Sequence, residues 1–495
     1  MPPTVDDDGN IWMGSWGVVR DNGTDDRTLW SKLDGAMVGL GPDLAERWFN
    51  PLDPVPWCYD YDNRQDPVQC PDGGMVLWYN GTVEGTPTHH EGLLYVGRGD
   101  GKLYAINATS GTTEWVFSTF NPLDPNDPDG GGEIIAAPTV APDGTIYIAS
   151  LAAGPYETNA VYAVWPDGAL RWRYPAADAT LENTVFADPA LSPDGSRLYV
   201  PGAWGPTAED FGPDSQGAIY AFDLDSETLA WRWEPVNESE WWLPTVWITS
   251  LAVGRDGTLY ASGPEYTLGG GSAVAFAVND EGDHATLRWG YTDLQRDVGQ
   301  MSYGLALDES DGVTERVLVT SGHTFNVFTQ GYPDGGVLSA LDAETGGVLW
   351  TVDPVDHGWA GSPQHVALDR DGTAVVAISG TTDRGVVAAV NDQGDVVWSH
   401  EVQGLLEWGG PVIGPNGEVV VGDSRRCLFD AAPVELELCT HLDAWVTVID
   451  SANAGEPEPE PEPAGPPACG CATGPSSAYP TALLVVLLTR RYRRR

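Results

Sequence analysis

Short apolar runs separated by turn signals dominate the chain, and long amphipathic helical patterns are absent. The runs fall into a unit that recurs at intervals of roughly 40 to 60 residues. Each unit has a small or Pro-containing strand, a turn ending in Gly and a β-rich strand. A loop follows, then a strand ending in Ala-x-Asp/Asn, a turn and a Trp. One copy reads GLLYVG, KLYAIN and SGTTEW; the next reads APTVAPDGTIYIAS and VYAVWPDGALRW; a third reads DPALSPDGSRLYV and IYAFDLDSETLAW.

The closing signature is sharpest in ALDAETGGVLW, with Ala340, Asp342, Gly346 and Trp350. Ala105, Asn107, Gly111 and Trp115 repeat it, and other copies close on Trp172, Trp231, Trp289 and Trp398. The Asp or Asn and the Gly suit a tight turn. The Trp supplies a large apolar body that docks between neighbouring sheets while its N–H seeks an acceptor. A four-stranded blade cannot bury both faces alone, so such units stack radially. The expected fold is all-β: an eight-bladed β-propeller of four-stranded antiparallel blades, with seven blades as the alternative count. The Asp-Gly pairs at 143–144, 194–195, 256–257 and 371–372 are expected as hairpin turns.

The Ala-x-Asp…Gly…Trp pattern resembles the PQQ-repeat, or quinoprotein alcohol dehydrogenase-like, propeller family, over residues 1–455. The resemblance is specific for fold and not for function. It implies three readings: a non-catalytic binding propeller, a PQQ- and calcium-dependent oxidoreductase, or an envelope-assembly scaffold like the PQQ-repeat lipoproteins that help insert outer-membrane proteins. The alcohol enzymes carry a disulfide between adjacent cysteines beside the cofactor, and no adjacent Cys pair occurs here. There is no Cys-x-x-Cys-His haem site, no nucleophile elbow and no phosphate loop. The expectation is therefore a binding or scaffold module with no catalytic residues, no PQQ and calcium as the one possible ion.

Charge narrows the partners. The 72 Asp and Glu outnumber 24 Lys and Arg, for a net charge of −48. Nothing on such a surface neutralises phosphates, which excludes nucleic acid. A protein or glycan ligand and a monomeric state are expected. Among six cysteines, Cys58 and Cys70 lie in one irregular stretch, and Cys427 and Cys439, at the same separation, in another. Each pair reads as a local disulfide, which implies an oxidising compartment.

The chain ends add detail. The opening MPPTVDDDG aligns with APTVAPDG, so Met1 falls at the start of an innermost strand. An upstream segment carrying a closing strand and a secretory signal is expected. At the other end, PVIGPNGEVVVG and WVTVIDSANAG supply three strands and the Asp turn, but no Trp-bearing outer strand follows. Residues 456–468 open with EPEPEPEP and read as an extended acidic stalk. Residues 469–495 carry Cys469, Cys471, a short apolar run and RRYRRR. That order resembles the MYXO-CTERM sorting tag. The resemblance implies export, processing or attachment at Cys469 or Cys471, display at the outer surface of a Gram-negative cell or secretion, and membrane contact through the tail alone.

Long insertions at 51–74, 119–134, 201–217, 262–272, 321–336 and 423–443 are expected to share one face. Phe186, Tyr303 and Trp408 precede their turn glycines by the same distance, with Trp247 and Trp359 close to the equivalent place and Trp242 in a nearby loop. These aromatics are expected to ring the channel mouth and stack on a sugar, peptide or cation. The motif NPLDP occurs twice, and its second copy, with Asp124, Asp127 and Asp129, offers oxygen ligands for calcium.

Overall fold

The computed structural model describes residues 2–14, 18–21, 30–52, 59–60, 83, 85–119, 132–151, 158–176, 179–183, 185, 187–203, 217–235, 246–264, 273–292, 304–309, 313–322, 335–380, 384–402, 406, 410–424 and 444–449. It is a β-propeller of eight blades, not seven. Blade 1 is built from Thr4–Val5, Ile11–Gly14, Met37–Leu40 and Glu46–Asn50. Blade 2 is Thr88–His90, Leu93–Gly97, Lys102–Asn107 and Thr113–Ser118. Blade 3 is Thr139–Val140, Ile146–Ser150, Ala160–Val164 and Leu170–Tyr174. Blade 4 is Ala190–Leu191, Arg197–Gly202, Ala218–Asp223 and Thr228–Trp233. Blade 5 is Ser250–Val253, Leu259–Pro264, Ala273–Asp280 and Ala285–Thr292. Blade 6 is Leu305–Asp308, Arg316–Thr320, Leu338–Asp342 and Val348–Val352. Blade 7 is Ser362–Leu368, Ala374–Ser379, Gly385–Val390 and Val396–Val402. Blade 8 has three strands among the described residues, Val412–Ile413, Val419–Ser424 and Ala444–Ile449. All pairings within the blades are antiparallel. A small sheet of Val18–Asp21, Trp30–Asp34 and Tyr59–Asp60 stands apart from the blades.

The middle strands are apolar on both sides because each blade is covered on both faces. Ile146–Ser150 and Ala160–Val164 are buried at every position. The core is accordingly divided into eight clusters, one at each junction between neighbouring blades. The last joins Ile11, Val38 and Leu40 of blade 1 to Val420 and Val446 of blade 8. The ring thus closes by side-chain packing between a blade made wholly of early residues and one made wholly of late ones.

The repeat signature has a steric origin. The small residue of Ala-x-Asp lies directly across from the Trp of the fourth strand: Ala105 from Trp115, Ala163 from Trp172, Ala221 from Trp231, Ala277 from Trp289, Ala340 from Trp350 and Ala389 from Trp398. A bulge follows each of these pairs and turns the Trp toward the next blade. For Trp115, Trp289 and Trp350 the indole there lies over a turn glycine with a positive φ. A Cβ on Gly168 would come within 2.8 Å of Trp115, and one on Gly346 within 2.6 Å of Trp289. The indole N–H then finds a backbone carbonyl two or three residues before that glycine: Trp115 donates to Pro166 at 2.9 Å, Trp289 to Ala343 at 2.8 Å and Trp350 to Asp392 at 2.9 Å. In blade 4 the acceptor is a side chain of blade 5, with Trp231 donating to Asp280 Oδ1 at 2.8 Å. Trp398 packs on the junction between blades 7 and 8.

Blade 1 carries a docking residue that the pattern does not reveal. Trp48 lies opposite Gly39, donates to the Ala108 carbonyl at 2.9 Å and rests against Gly111. Its strand reads GLGPDLAERW, where Gly replaces the Ala and the Asp falls out of phase.

Candidate functional site

The first strands line the central channel, and their starts are fastened to one another by a recurring hydrogen bond. The Thr4 hydroxyl donates to the Pro87 carbonyl, Thr88 to Pro138 at 2.5 Å and Thr139 to Pro189. Each bond links one blade to the next. The dipeptide Pro-Thr at 3–4, 87–88 and 138–139, already aligned between MPPTVDDDG and APTVAPDG as the start of a first strand, is the sequence signal for this latch.

Beside the latch stands Asp188, at the start of blade 4. It accepts a bond from the Ala137 N–H at 2.6 Å. Its side chain reaches water yet is surrounded by the walls of the ring, and this enclosure decides its charge. Burial pushes its pKa up to about 6, against the lowering effect of the Ala137 bond. On the first strand of blade 7, His365 is enclosed in the same way, and burial pulls it down to about 4. His365 sits where several strand starts crowd together. A Cβ on Gly410 would come within 3.0 Å of the His365 Cβ and 3.3 Å of Pro2. A Cβ on Gly304 would meet the Gln364 carbonyl at 2.7 Å. Glycine at 304 and 410 is what lets these segments converge. Near neutral pH the channel therefore holds a carboxyl of raised affinity for protons and an uncharged imidazole.

An open cleft of about 570 Å³ lies where blades 1 and 2 meet, lined by Thr4, Val5, Asp6, Asp7, Asp8, Pro87, Thr88 and His89. Asp6 is occupied in shaping its own turn, accepting from the backbone of Asp8 and Asn10 at 3.0 and 2.7 Å. His89 packs on Trp12 with centroids 4.8 Å apart. Among the described residues no group of three or more His, Cys, Asp and Glu is placed to share a metal ion.

Of the aromatics expected at the channel mouth, Trp359 is described. It is partly buried, stacks on His357 with centroids 4.8 Å apart and packs against the core between blades 6 and 7. Trp247 is buried. Phe186, Trp242, Tyr303 and Trp408 lie outside the described residues, as do Asp124, Asp127 and Asp129, the cysteines at 58, 70, 427, 439, 469 and 471, and the tail from 450 onward. Most of the long insertions do so as well.

The fold and its repeat define a PQQ-like β-propeller. Residues 25–200 and 333–436, more than half of the chain, match the family described as outer membrane protein assembly factor BamB, and the chain belongs to that family. No curated protein matches it. Among solved structures, BamB from Moraxella catarrhalis is similar at 16% identity, with 78% of this chain and 87% of that one covered and a TM-score of 0.45. The quinohemoprotein alcohol dehydrogenase from Comamonas testosteroni is similar at 13% identity, with 86% and 70% covered and a TM-score of 0.46.

Proposed function

We propose that this protein is a non-catalytic scaffold of the cell envelope that holds a protein partner in the assembly of outer-membrane proteins. Membership of the assembly-factor family carries the reading. Among the sequence-based expectations, it supports the assembly scaffold more than the broader surface-binding module. The site supports it in two ways. Its two most perturbed groups, Asp188 and His365, are locked among blade contacts rather than paired with a nucleophile. Of the aromatic set, Trp359 packs against the core between blades 6 and 7 and Trp247 is buried. The protein acts at the outer membrane, which it reaches by export.

Purified full-length protein, immobilised and titrated with detergent-solubilised outer-membrane β-barrel proteins, tests the reading against its enzymatic rival. Saturable binding is expected, with no dye reduction when PQQ and calcium are added with alcohols or sugars. Dye reduction that depends on PQQ, in the absence of any saturable protein binding, overturns it.

A further inference from the structure

We infer that Trp165, on the turn between the last two strands of blade 3, is the platform of a saccharide site at the junction of blades 3 and 4. A neutral sugar ring stacks on the indole face that Arg171 leaves open. The site is separate from the channel, and it stands whether or not the protein assists the assembly of outer-membrane proteins.

Neither the turn nor the core calls for an aromatic at this place. Two residues after the alanine that faces each docking Trp, blades 2, 4, 5, 6 and 7 carry Asn107, Asp223, Asn279, Asp342 and Asn391. Most of these side chains shape their turn. Asn107 accepts from the Thr109 N–H at 3.1 Å, Asp223 from Ser226 at 2.8 Å, Asp342 from Thr345 at 2.8 Å and Asn391 from Gln393 at 2.9 Å. Blade 3 has Trp165 instead. An indole cannot accept such a bond, and Asp167 takes over by accepting from the Ala169 N–H at 3.1 Å. The ring adds little to the core, because it is 41% exposed, whereas Trp12, Trp172 and Trp289 are buried.

The indole is nevertheless held in place. Arg171 covers one face, with its guanidinium carbon 4.4 Å from the ring centroid. That guanidinium is itself fixed on three sides. Its Nε donates to Glu227 Oε1 at 2.8 Å, and its Nη1 donates to Thr145 Oγ1 at 3.0 Å and Asp143 Oδ2 at 3.3 Å. Asp143 and Thr145 come from the first turn of blade 3, and Glu227 from the last turn of blade 4. Glu227 has a φ of 56, in the left-handed region where glycine stands at 111, 168, 346 and 394. A non-glycine residue there is strained, and strain of this kind collects at binding sites. Here it has an evident use: Glu227 fixes Arg171, and Arg171 fixes the indole.

A ring backed in this way selects its ligand. The quadrupole that draws a cation to an aromatic face is already engaged by Arg171, so a second cation gains little on the other side. Polyanions are repelled by a chain of net charge −48. A neutral pyranose meets both limits. Its apolar C–H face covers the indole, and its hydroxyls donate to carboxylate oxygens at the margin. Those oxygens are within reach of solvent: the side chains of Asp143 and Glu227 are 57% and 37% exposed. The two carboxylates share one guanidinium, so each keeps lone pairs for a sugar hydroxyl.

Titration of the full-length protein with cellohexaose, maltohexaose and fully N-acetylated chitohexaose, read by calorimetry and tryptophan fluorescence, tests this. Saturable binding of at least one sugar is expected. Trp165→Asn installs the turn residue of the other blades, so it is expected to keep its Tm and to bind roughly tenfold more weakly or worse. Glu227→Gly frees Arg171 and relieves the strained turn, so its affinity is expected to fall while its Tm rises. A contact that only supports the fold would not move the two readings in opposite directions. Lack of saturable binding by all of these sugars overturns the inference. So does binding that Trp165→Asn leaves undiminished, or a Trp165-dependent affinity for hexalysine that exceeds the affinity for every sugar.

Discussion

The indole of Trp172 stacks on Phe222 with ring centroids 5.7 Å apart, and its N–H meets no acceptor among the described residues. The other docking tryptophans with a defined acceptor all reach the following blade. The cause lies in that blade's turn. Glu227, at φ 56, holds the left-handed position that glycine holds in Gly168 or Gly346. Its Cβ blocks the seat over which an indole would lie.

Glu227→Gly is therefore expected to stabilise the protein. It removes the strain of a non-glycine residue in the left-handed region, about 1 kcal/mol, and opens the seat to Trp172. The lost bond from Arg171 to Glu227 is partly exposed and returns little. Thermal unfolding should show a higher Tm, and a quenched or shifted Trp172 fluorescence should accompany it. A lower Tm would mean that the ion pair outweighs the seat.

The opposite change separates strain from packing. Gly346 and Gly195 share a φ of 71°, but a Cβ on Gly346 meets Trp289 and one on Gly195 meets nothing within 4 Å. Gly195→Ala should cost only the backbone term, about 1–2 kcal/mol. Gly346→Ala should cost that plus the dislodged indole and its bond to Ala343, roughly a further 1 kcal/mol or more. Equal losses in parallel urea titrations would show that the indole does not rest on its glycine.

Much of this architecture was legible because the steric demand repeats. An indole needs a small residue across from it and a glycine beneath it, so Ala340, Gly346 and Trp350 write the same spacing wherever the junction is regular. Where the junction varies, the spacing breaks. Trp48 was missed because Gly39 replaces Ala and Leu44 stands where the turn glycine is expected. The channel was hardest to read. Asp188 and His365 owe their properties to enclosure by distant blades, and no local pattern encodes that.

A buried ion pair in blade 2 carries another prediction. Arg98 is fully buried, its Nε donates to Asp100 Oδ1 at 2.7 Å, and its guanidinium lies 5.0 Å from the Tyr104 ring. Lys102 also lies 3.5 Å from Asp100, so removing Arg98 weakens the support of that carboxylate without isolating it. Arg98→Ala and Asp100→Ala should each cost about 2–4 kcal/mol, and Arg98→Met with Asp100→Leu should cost less than their sum. Denaturation midpoints of the four proteins decide it, and additive losses would rule out coupling.

The two enclosed channel groups should pull stability in opposite directions over the same pH range. Asp188 rises from the ordinary 3.8 to about 6 in the fold, so the native state binds its proton more tightly than the unfolded chain. Its contribution is present at low pH and is lost as pH rises toward 6. His365 falls from the ordinary 6.5 to about 4, so the unfolded chain binds its proton more tightly. Its contribution is present above 6.5 and is lost as pH falls toward 4. In the unaltered protein the two slopes offset each other. Asp188→Asn keeps an acceptor for Ala137, and its Tm relative to the unaltered protein should climb as pH goes from 4 to 6. The relative Tm of His365→Gln should fall over pH 4 to 6.5. Curves that stay parallel to the unaltered protein's would show that the ring does not enclose these groups as tightly as their positions imply.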